Sequence, residues 1–368
     1  MKKILFISNG HGEDIVTARI IKDLKMNGLR IDVMPVVGTG TAFEGLKVNI
    51  IGPRRALPSG GFGLRNLLYF IGDIFSGLLG KIREQVRILD DNKWGYALVI
   101  GVGDLVPIVY SMITGCKFIF LGVNKSAYYK KLAFNYTWLE KRLLKKYCMM
   151  TFTRDKMTED ALQRSGVESK YAGNPMMDLV KGIGRSGNRG IGKGRVIGFL
   201  PGTRDDAFKN IEDFYKIAWQ INNADKKVKF ILSIPNPLDR KRLSSLKPPV
   251  KIEMAGDFNK VLARSTIVIG LSGTGNEQAA GVGLPVISFP GRGAQYNHKF
   301  ASGQKELLGD ALMLLPRNSQ TIAKEALSLL KSKAKRKKMA RTGIARMGKP
   351  GASRKIALVI KAYLQSRK

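Results

Sequence analysis

Cysteine, acid and long apolar runs are all scarce in this chain, and each scarcity removes a class of protein. There are only two cysteines in 368 residues, Cys116 and Cys148, both inside apolar strand-like runs. A disulfide framework or a cysteine-built zinc site is therefore not expected, and a reducing cytoplasm is. No stretch reaches the roughly 18 uninterrupted apolar residues of a spanning helix, so the reading places nothing across a bilayer. The opening MKKILFIS loses its apolar character at Ser8, where a glycine-rich polar turn follows, and reads as a first strand rather than a secretion signal. Acids number 28 against 63 Lys and Arg, for a net charge of +35, and residues 326–368 contain none. Such a surplus calls for an anionic partner: nucleic acid, an anionic membrane or phosphorylated substrates.

What is present is ample apolar side chain, 44% of residues, in a length that suits two domains at about 100 to 200 residues each. Short apolar runs ending in Gly or a polar turn recur: KKILFISNG, RIDVMPVVG, VNIIG, YALVIGVGD, KFIFLGV and CMMTFT. After the Gly- and Arg-rich GIGRSGNRGIGKG come RVIGFLPG, KVKFILSI, VKIEMAG, STIVIGLSG, PVISFPG and ALMLLP. Near-continuous apolar strands separated by helical intervals are what a parallel sheet covered on both faces needs. The fold class is therefore α/β, with two doubly wound, Rossmann-like parallel-sheet domains facing across a cleft. The expected division is 1–178, a linker at 179–194, a second domain at 195–350, and a last helix at 351–368 returning to the first domain.

Ligands of such sheets bind beyond the carboxyl ends of the strands, which directs attention to the turns. After the first strand, SNGHGED places Gly10 and Gly12 where backbone can approach a ligand, and a helix is expected from Asp14. A dinucleotide site would want a third glycine where Ile15 stands, which disfavours NAD. His11, Glu13 and Asp14 lie within reach of an acceptor, although a structural role for His11 fits equally. Asp104 directly follows YALVIGVG, as a general base or as the N-cap of the next helix. In the second half, FLPGTRDD puts Gly202, Thr203 and Arg204 at a strand end, where a guanidinium can grip pyrophosphate. The strand IVIGL then runs into Ser272, Gly273, Thr274, Gly275 and Asn276 and a helix, whose first N–H groups can cradle a diphosphate. Glu277 or Gln278 is placed to bond a ribose.

Two further stretches suggest a surface. Residues 56–82 are apolar, aromatic and glycine-rich with basic flanks. They read as a helix in a membrane interface through Leu67, Phe70 and Phe75, with Arg65 and Lys81 toward headgroups, or as a buried helix plus loop. Residues 124–147 mix Tyr128, Tyr129, Phe134, Tyr136 and Trp138 with Lys and Arg, a composition suited to a headgroup layer or to single-stranded nucleic acid.

Together these motifs resemble the lipid A disaccharide synthases, a family of the two-domain GT-B glycosyltransferases. SNGHGEDIVTARI is similar to the family's N-terminal glycine and acid motif, with Asn124 beside that loop, and GVGD to its catalytic-aspartate motif. AGNPMMD, with Asn174 and Pro175, resembles the interdomain element, FLPGTR the Pro-Gly-Ser-Arg loop, and LSGTGNEQAAGVGLP the donor-site loop and helix. The family's Trp-rich segment appears here as GVNKSAYYKK, which marks a divergent branch. The resemblance implies an inverting glycosyltransferase using neither metal nor cofactor, with Asp104 as base, Arg204 as phosphate clamp, and Ser272, Gly273 and Thr274 on UDP. Its implied partners are a UDP-sugar, a lipid-linked acceptor and an anionic membrane surface, not nucleic acid, and its implied location is the inner face of the cell membrane, peripherally. The alternatives are a UDP-N-acetylglucosamine 2-epimerase-like enzyme and, further off, a non-enzymatic nucleic-acid-binding protein. If residues 56–82 insert, replacing Leu67, Phe70 and Phe75 with Ser releases the protein from anionic liposomes in a flotation assay; undiminished binding leaves the basic surface as the anchor.

Overall fold

The computed structural model describes residues 2–54, 78–130, 134–180, 194–203, 206–235, 238, 240–293 and 295–366. The chain divides into two compact units, Met1–Leu179 with Pro350–Lys368, and Val180–Lys349.

The first unit runs β1 (Lys2–Ser8), α1 (His11–Asp23), β2 (Leu29–Pro35), β3 (Asn49–Ile50), α2 (Leu78–Asp91), β4 (Leu98–Val102), α3 (Leu105–Ile113), β5 (Phe118–Gly122), α4 (Trp138–Tyr147), β6 (Cys148–Thr153), α5 (Lys156–Arg164) and β7 (Ser169–Tyr171), then a one-turn 3-10 helix, Pro175–Leu179. Its strands form one parallel sheet in the order β3-β2-β1-β4-β5-β6-β7. Strand β1 shows why: Ile4 and Phe6 point to one face and Leu5 and Ile7 to the other, and all four are fully buried. The first face is covered by Val16 and Ile20 of α1, and by Ile356 and Ile360 of a helix from the far end of the chain. Leu89 of α2, Ile108 of α3 and Leu144 of α4 cover the other. Strand β7 has no counterpart among the apolar runs of the sequence, because a three-residue edge strand, Ser-Lys-Tyr, needs only one neighbour and carries no core face.

The second unit runs β8 (Val196–Leu200), α6 (Asp206–Ala224), β9 (Lys229–Ser233), α7 (Arg240–Ser244), β10 (Ile252–Ala255), α8 (Phe258–Arg264), β11 (Ile267–Gly270), α9 (Gly273–Gly281), β12 (Val286–Ser288), α10 (His298–Leu308), β13 (Leu312–Leu314), α11 (Ser319–Lys331) and α12 (Lys333–Met347). Its six parallel strands are ordered β10-β9-β8-β11-β12-β13. The rings of Phe199 and Phe214 stack at 4.9 Å and those of Phe199 and Phe230 at 5.8 Å, fastening β8 to α6 and β9. The last helix, α13 (Ala352–Ser366), belongs to the first unit. Asp178 receives the N–H groups of Gly351 and, at 2.6 Å, Ser353. A carboxylate thus caps the start of α13, which then lies along α1.

In both sheets the chain starts in the middle, builds outward one way, and then returns to build the other way. The reversal falls between β1 and β4 in the first sheet and between β8 and β11 in the second, the place where an open parallel sheet leaves a crevice for a ligand. In the second unit, α9 at that crevice is backed by α12 so closely that a Cβ on Gly343 would overlap the carbonyl oxygen of Ala280. Gly343→Ala is expected to destabilise the second unit by about 1–3 kcal/mol through overpacking, read from its chemical denaturation; an unchanged midpoint would show that α9 can withdraw.

Candidate functional site

At the first crevice the chain leaves β1 through Asn9 and Gly10. Gly10 has φ 141°, in the region that favours glycine, and its carbonyl accepts from Asp14 N at 2.9 Å as α1 begins. The helix opens at His11, three residues before the Asp14 start expected from sequence, so Gly12 and Glu13 belong to its first turn. His11 is exposed on that turn. The neighbouring strand β4 ends in Gly103, φ 133°, and Asp104.

Asp104 caps α3: its Oδ1 accepts from Val106 N at 3.2 Å and from Asn9 Nδ2 at 2.8 Å. The capping alternative is therefore present, and it uses one oxygen; Oδ2 has no hydrogen-bond partner among the described residues. Beside it, Glu13 Oε1 accepts from Asn124 Nδ2 at 2.8 Å, reaching across from the end of β5. Glu13 Oε2 lies 2.5 Å from where a Cβ on Gly10 would sit, so glycine is required there for space as well as for φ. Burial pushes the Glu13 carboxyl up from 4.5 to about 7, with the nearby charges of Asp104 and Asp14 adding to the rise. Four residues at three strand ends, Asn9, Glu13, Asp104 and Asn124, thus form one group. Asn9 had no assignment from sequence; its signal was its place between Ser8 and Gly10, the last polar side chain before the turn.

Asp14 is separate from this group. It is 2% exposed, accepts from the Ser8 hydroxyl, and is pushed from 3.8 to about 6 by burial. Lys81, expected at a membrane interface, is instead 6% exposed, with its Nζ 3.5 Å from the carbonyl of Val37 and its charge acting on Asp14. The reason is the helical spacing of α2, which turns Lys81, Gln85 and Leu89 inward together. Leu67, Phe70, Phe75 and Arg65 lie outside the described residues. The aromatic stretch 124–147 is likewise mostly interior: Tyr129 and Tyr136 are buried, Tyr128 and Phe134 half-buried, and of its five named rings only Trp138 is exposed, at 70%. Lys125 is buried in an ion pair with Glu140 at 2.8 Å. Asn174, at the start of the Pro175–Leu179 turn, is fully buried and its Oδ1 accepts from Met176 N at 3.1 Å; the Met176 side chain lies 3.7 Å from where a Cβ on Gly12 would sit.

At the second crevice, β8 ends in Pro201, Gly202 (φ 91°) and an exposed Thr203; Arg204 lies outside the described residues. Asn210 of α6 holds this loop by donating to Pro201 O at 2.9 Å. Strand β11 passes through Leu271 to Ser272, the N-cap of α9, whose hydroxyl accepts from Gly275 N at 3.2 Å. Gly273 and Thr274 occupy the first turn, with Thr274 exposed. Asn276 is buried and donates to Gly270 O at 3.2 Å and to the Tyr296 hydroxyl at 2.9 Å, fixing the turn from beneath. Glu277 and Gln278 are both buried, and Glu277 accepts from Gln304 Nε2 of α10 at 3.1 Å. The result is a nine-residue helix whose first N–H groups face the crevice, an arrangement able to bind an anion. Among the described residues no group of three His, Cys, Asp or Glu could hold a metal ion, and no helix is long and apolar enough to cross a membrane.

No protein-family model matches the sequence, and no curated protein does. Solved structures do match over the whole length. The MurG of Acinetobacter baumannii superposes with a TM-score of 0.63 at 12% identity, covering 98% of this chain and 100% of that one. The calicheamicin glycosyltransferase CalG4 gives 0.63 at 16% identity, covering 100% and 99%. The Methanocaldococcus jannaschii UDP-GlcNAc 2-epimerase, solved with UDP-GlcNAc and UDP, gives 0.58 at 16% identity, covering 98% and 99%.

This is the GT-B fold. At these identities the likeness is one of architecture, and the GT-B crevices of this chain carry their own side chains. One consequence is electrostatic. Glu13 and Asp14 bind protons more tightly folded than unfolded, so their contribution to stability is full below their ordinary values and is lost as pH rises through about 7 and about 6. Glu13→Gln should therefore be more stable than wild type at pH 8, in urea denaturation, with the difference vanishing below 4.5. An equal difference at both pH values would remove Glu13 from this account.

Proposed function

We propose that this chain is an inverting glycosyltransferase that moves a sugar from a UDP-sugar to the hydroxyl of a lipid-linked acceptor at an anionic membrane surface, without a metal. The observation that carries the reading is the state of Asp104: one oxygen engaged by Asn9 and Val106, the other without a hydrogen-bond partner among the described residues, at the carboxyl end of β4. A carboxylate so held is oriented, and its open oxygen can take a proton. In the reaction, the acceptor oxygen bonds to the anomeric carbon as its proton passes to Asp104 Oδ2. The bond from that carbon to the phosphate oxygen breaks, and UDP leaves. The charge that gathers on the departing diphosphate suits the N–H groups of Ser272, Gly273 and Thr274 at the start of α9, with Arg204 as the cation. The family resemblance of the motifs and the UDP bound in the epimerase structure of the same fold support a uridine nucleotide. The surplus of cations supports an anionic surface.

A second reading, a UDP-GlcNAc 2-epimerase-like enzyme, is favoured by the epimerases that share the fold across the whole chain and by the second carboxyl, Glu13, beside Asp104. Incubation with UDP-GlcNAc alone separates the two, because an epimerase changes the donor with no acceptor present. For the transferase, Asp104→Asn should keep UDP affinity by calorimetry and lower turnover about 10²- to 10⁴-fold. Turnover at the wild-type rate would take Asp104 out of the mechanism.

A further inference from the structure

Two carboxyls stand together at the first crevice, and their surroundings differ. Asp104 receives two N–H donors on Oδ1, from Asn9 and from the backbone of Val106. Glu13 also receives two, the backbone N–H of its own residue and Asn124 Nδ2 on Oε1. Donors favour the charged form, and neighbouring like charges disfavour it. At Glu13 burial and the nearby charges of Asp104 and Asp14 outweigh these donors and favour its protonated form.

Among the described residues, the charged groups that act on Glu13 are carboxylates. Asp104 comes from the β4–α3 junction and Asp14 from its own helix. Asn124 comes from beyond β5, and the adjacent Lys125 is turned away into Glu140. On the Pro175–Leu179 turn that packs against α1, Asp178 is occupied by the N–H groups opening α13. Lys81 of α2 acts at Asp14. Glu13 Oε2 rests over Gly10, where only a hydrogen atom leaves it space. The remaining oxygen of Asn124, Oδ1, is buried without a partner, so the amide's one hydrogen bond in this group is the one it gives Glu13.

We propose that Glu13 is a neutral hydrogen-bond donor beside Asp104, offering its Oε2 proton to an oxygen of the incoming acceptor, and that Asn124 is the residue that positions it. The proposal rests on the reading of Asp104 as the proton acceptor. It narrows the acceptor to a molecule that carries a second oxygen next to its nucleophilic hydroxyl, as a sugar ring or an acylated sugar does. The proton balance is simple: the acceptor's hydroxyl proton goes to Asp104, and Glu13 keeps its own throughout. Ionised, Glu13 would place a second negative charge against the acceptor and donate nothing.

The test is an infrared titration of the carboxyl stretch on the full, unliganded chain, which needs no substrate and so stands apart from any failure to find the reaction. Wild type should show a protonated carboxyl that ionises near pH 7, absent from Glu13→Gln. Its midpoint should move up in Asn124→Ala, which loses the donor, and down in Asp104→Asn, which loses the like charge. A Glu13 carboxyl already ionised at pH 6 in wild type, or a midpoint unmoved in Asn124→Ala, overturns the proposal. Should Asn124→Ala not fold, Asn124→Ser carries the same comparison, and the wild-type midpoint decides alone. With a transferase assay in hand, the rate should fall as pH rises through the Glu13 midpoint, and this limb should shift upward in the Asn124 variant. A limb at the same pH in both would show that Asn124 acts on the fold and not on the proton.

Discussion

A parallel sheet covered by helices on both faces has no interior place for polar chemistry, and this constraint organises the whole molecule. Every side chain of β1 between Ile4 and Ile7 is committed to one core or the other. Hydrogen-bonding and titratable groups are consequently driven to the strand ends, where the sheet's reversal of direction opens a crevice. Asn9, Glu13, Asp104 and Asn124 in one unit, and Gly202, Ser272 and Thr274 in the other, stand there because the middles of the strands before them are given over to apolar side chains.

The two crevices differ in charge. The first gathers carboxyls and amides, and burial keeps one of its carboxyls reluctant to ionise. The second gathers main-chain N–H groups at the start of a helix, with a serine cap and a buried asparagine holding the turn in shape. The first crevice is suited to handling a proton and the second to holding an anion. The surplus of Lys and Arg is mostly a property of the surface around them; two of the buried cations, Lys81 and Lys125, act on the interior acids Asp14 and Glu140.

The α/β class, the two sheets and the positions of the turns were legible in the sequence because strand periodicity and glycine punctuation are local properties. Twelve apolar runs met twelve strands, and the thirteenth, β7, was missed because an edge strand of three residues has no core face to betray it. The capping of α3 by Asp104, one of its two expected roles, followed from residue type and place, and that of α9 by Ser272 was shown only by the structure. Helix α1 was misjudged at its start because glycine at position 12 looked like turn, whereas in the structure Gly10 alone makes the turn.

The amino-acid sequence by itself determined which residues stand at strand ends, since alternation and apolar runs depend only on neighbours along the chain. The tertiary structure alone decided who meets whom. Asn9 finds Asp104 across 95 positions and Asn124 finds Glu13 across 111. Lys81 was drawn inward, and Tyr129 and Tyr136 after β5 went into the core rather than onto a surface. Burial and pairing are sums over distant segments brought together by the sheet, and no local pattern of charge or ring carries that information.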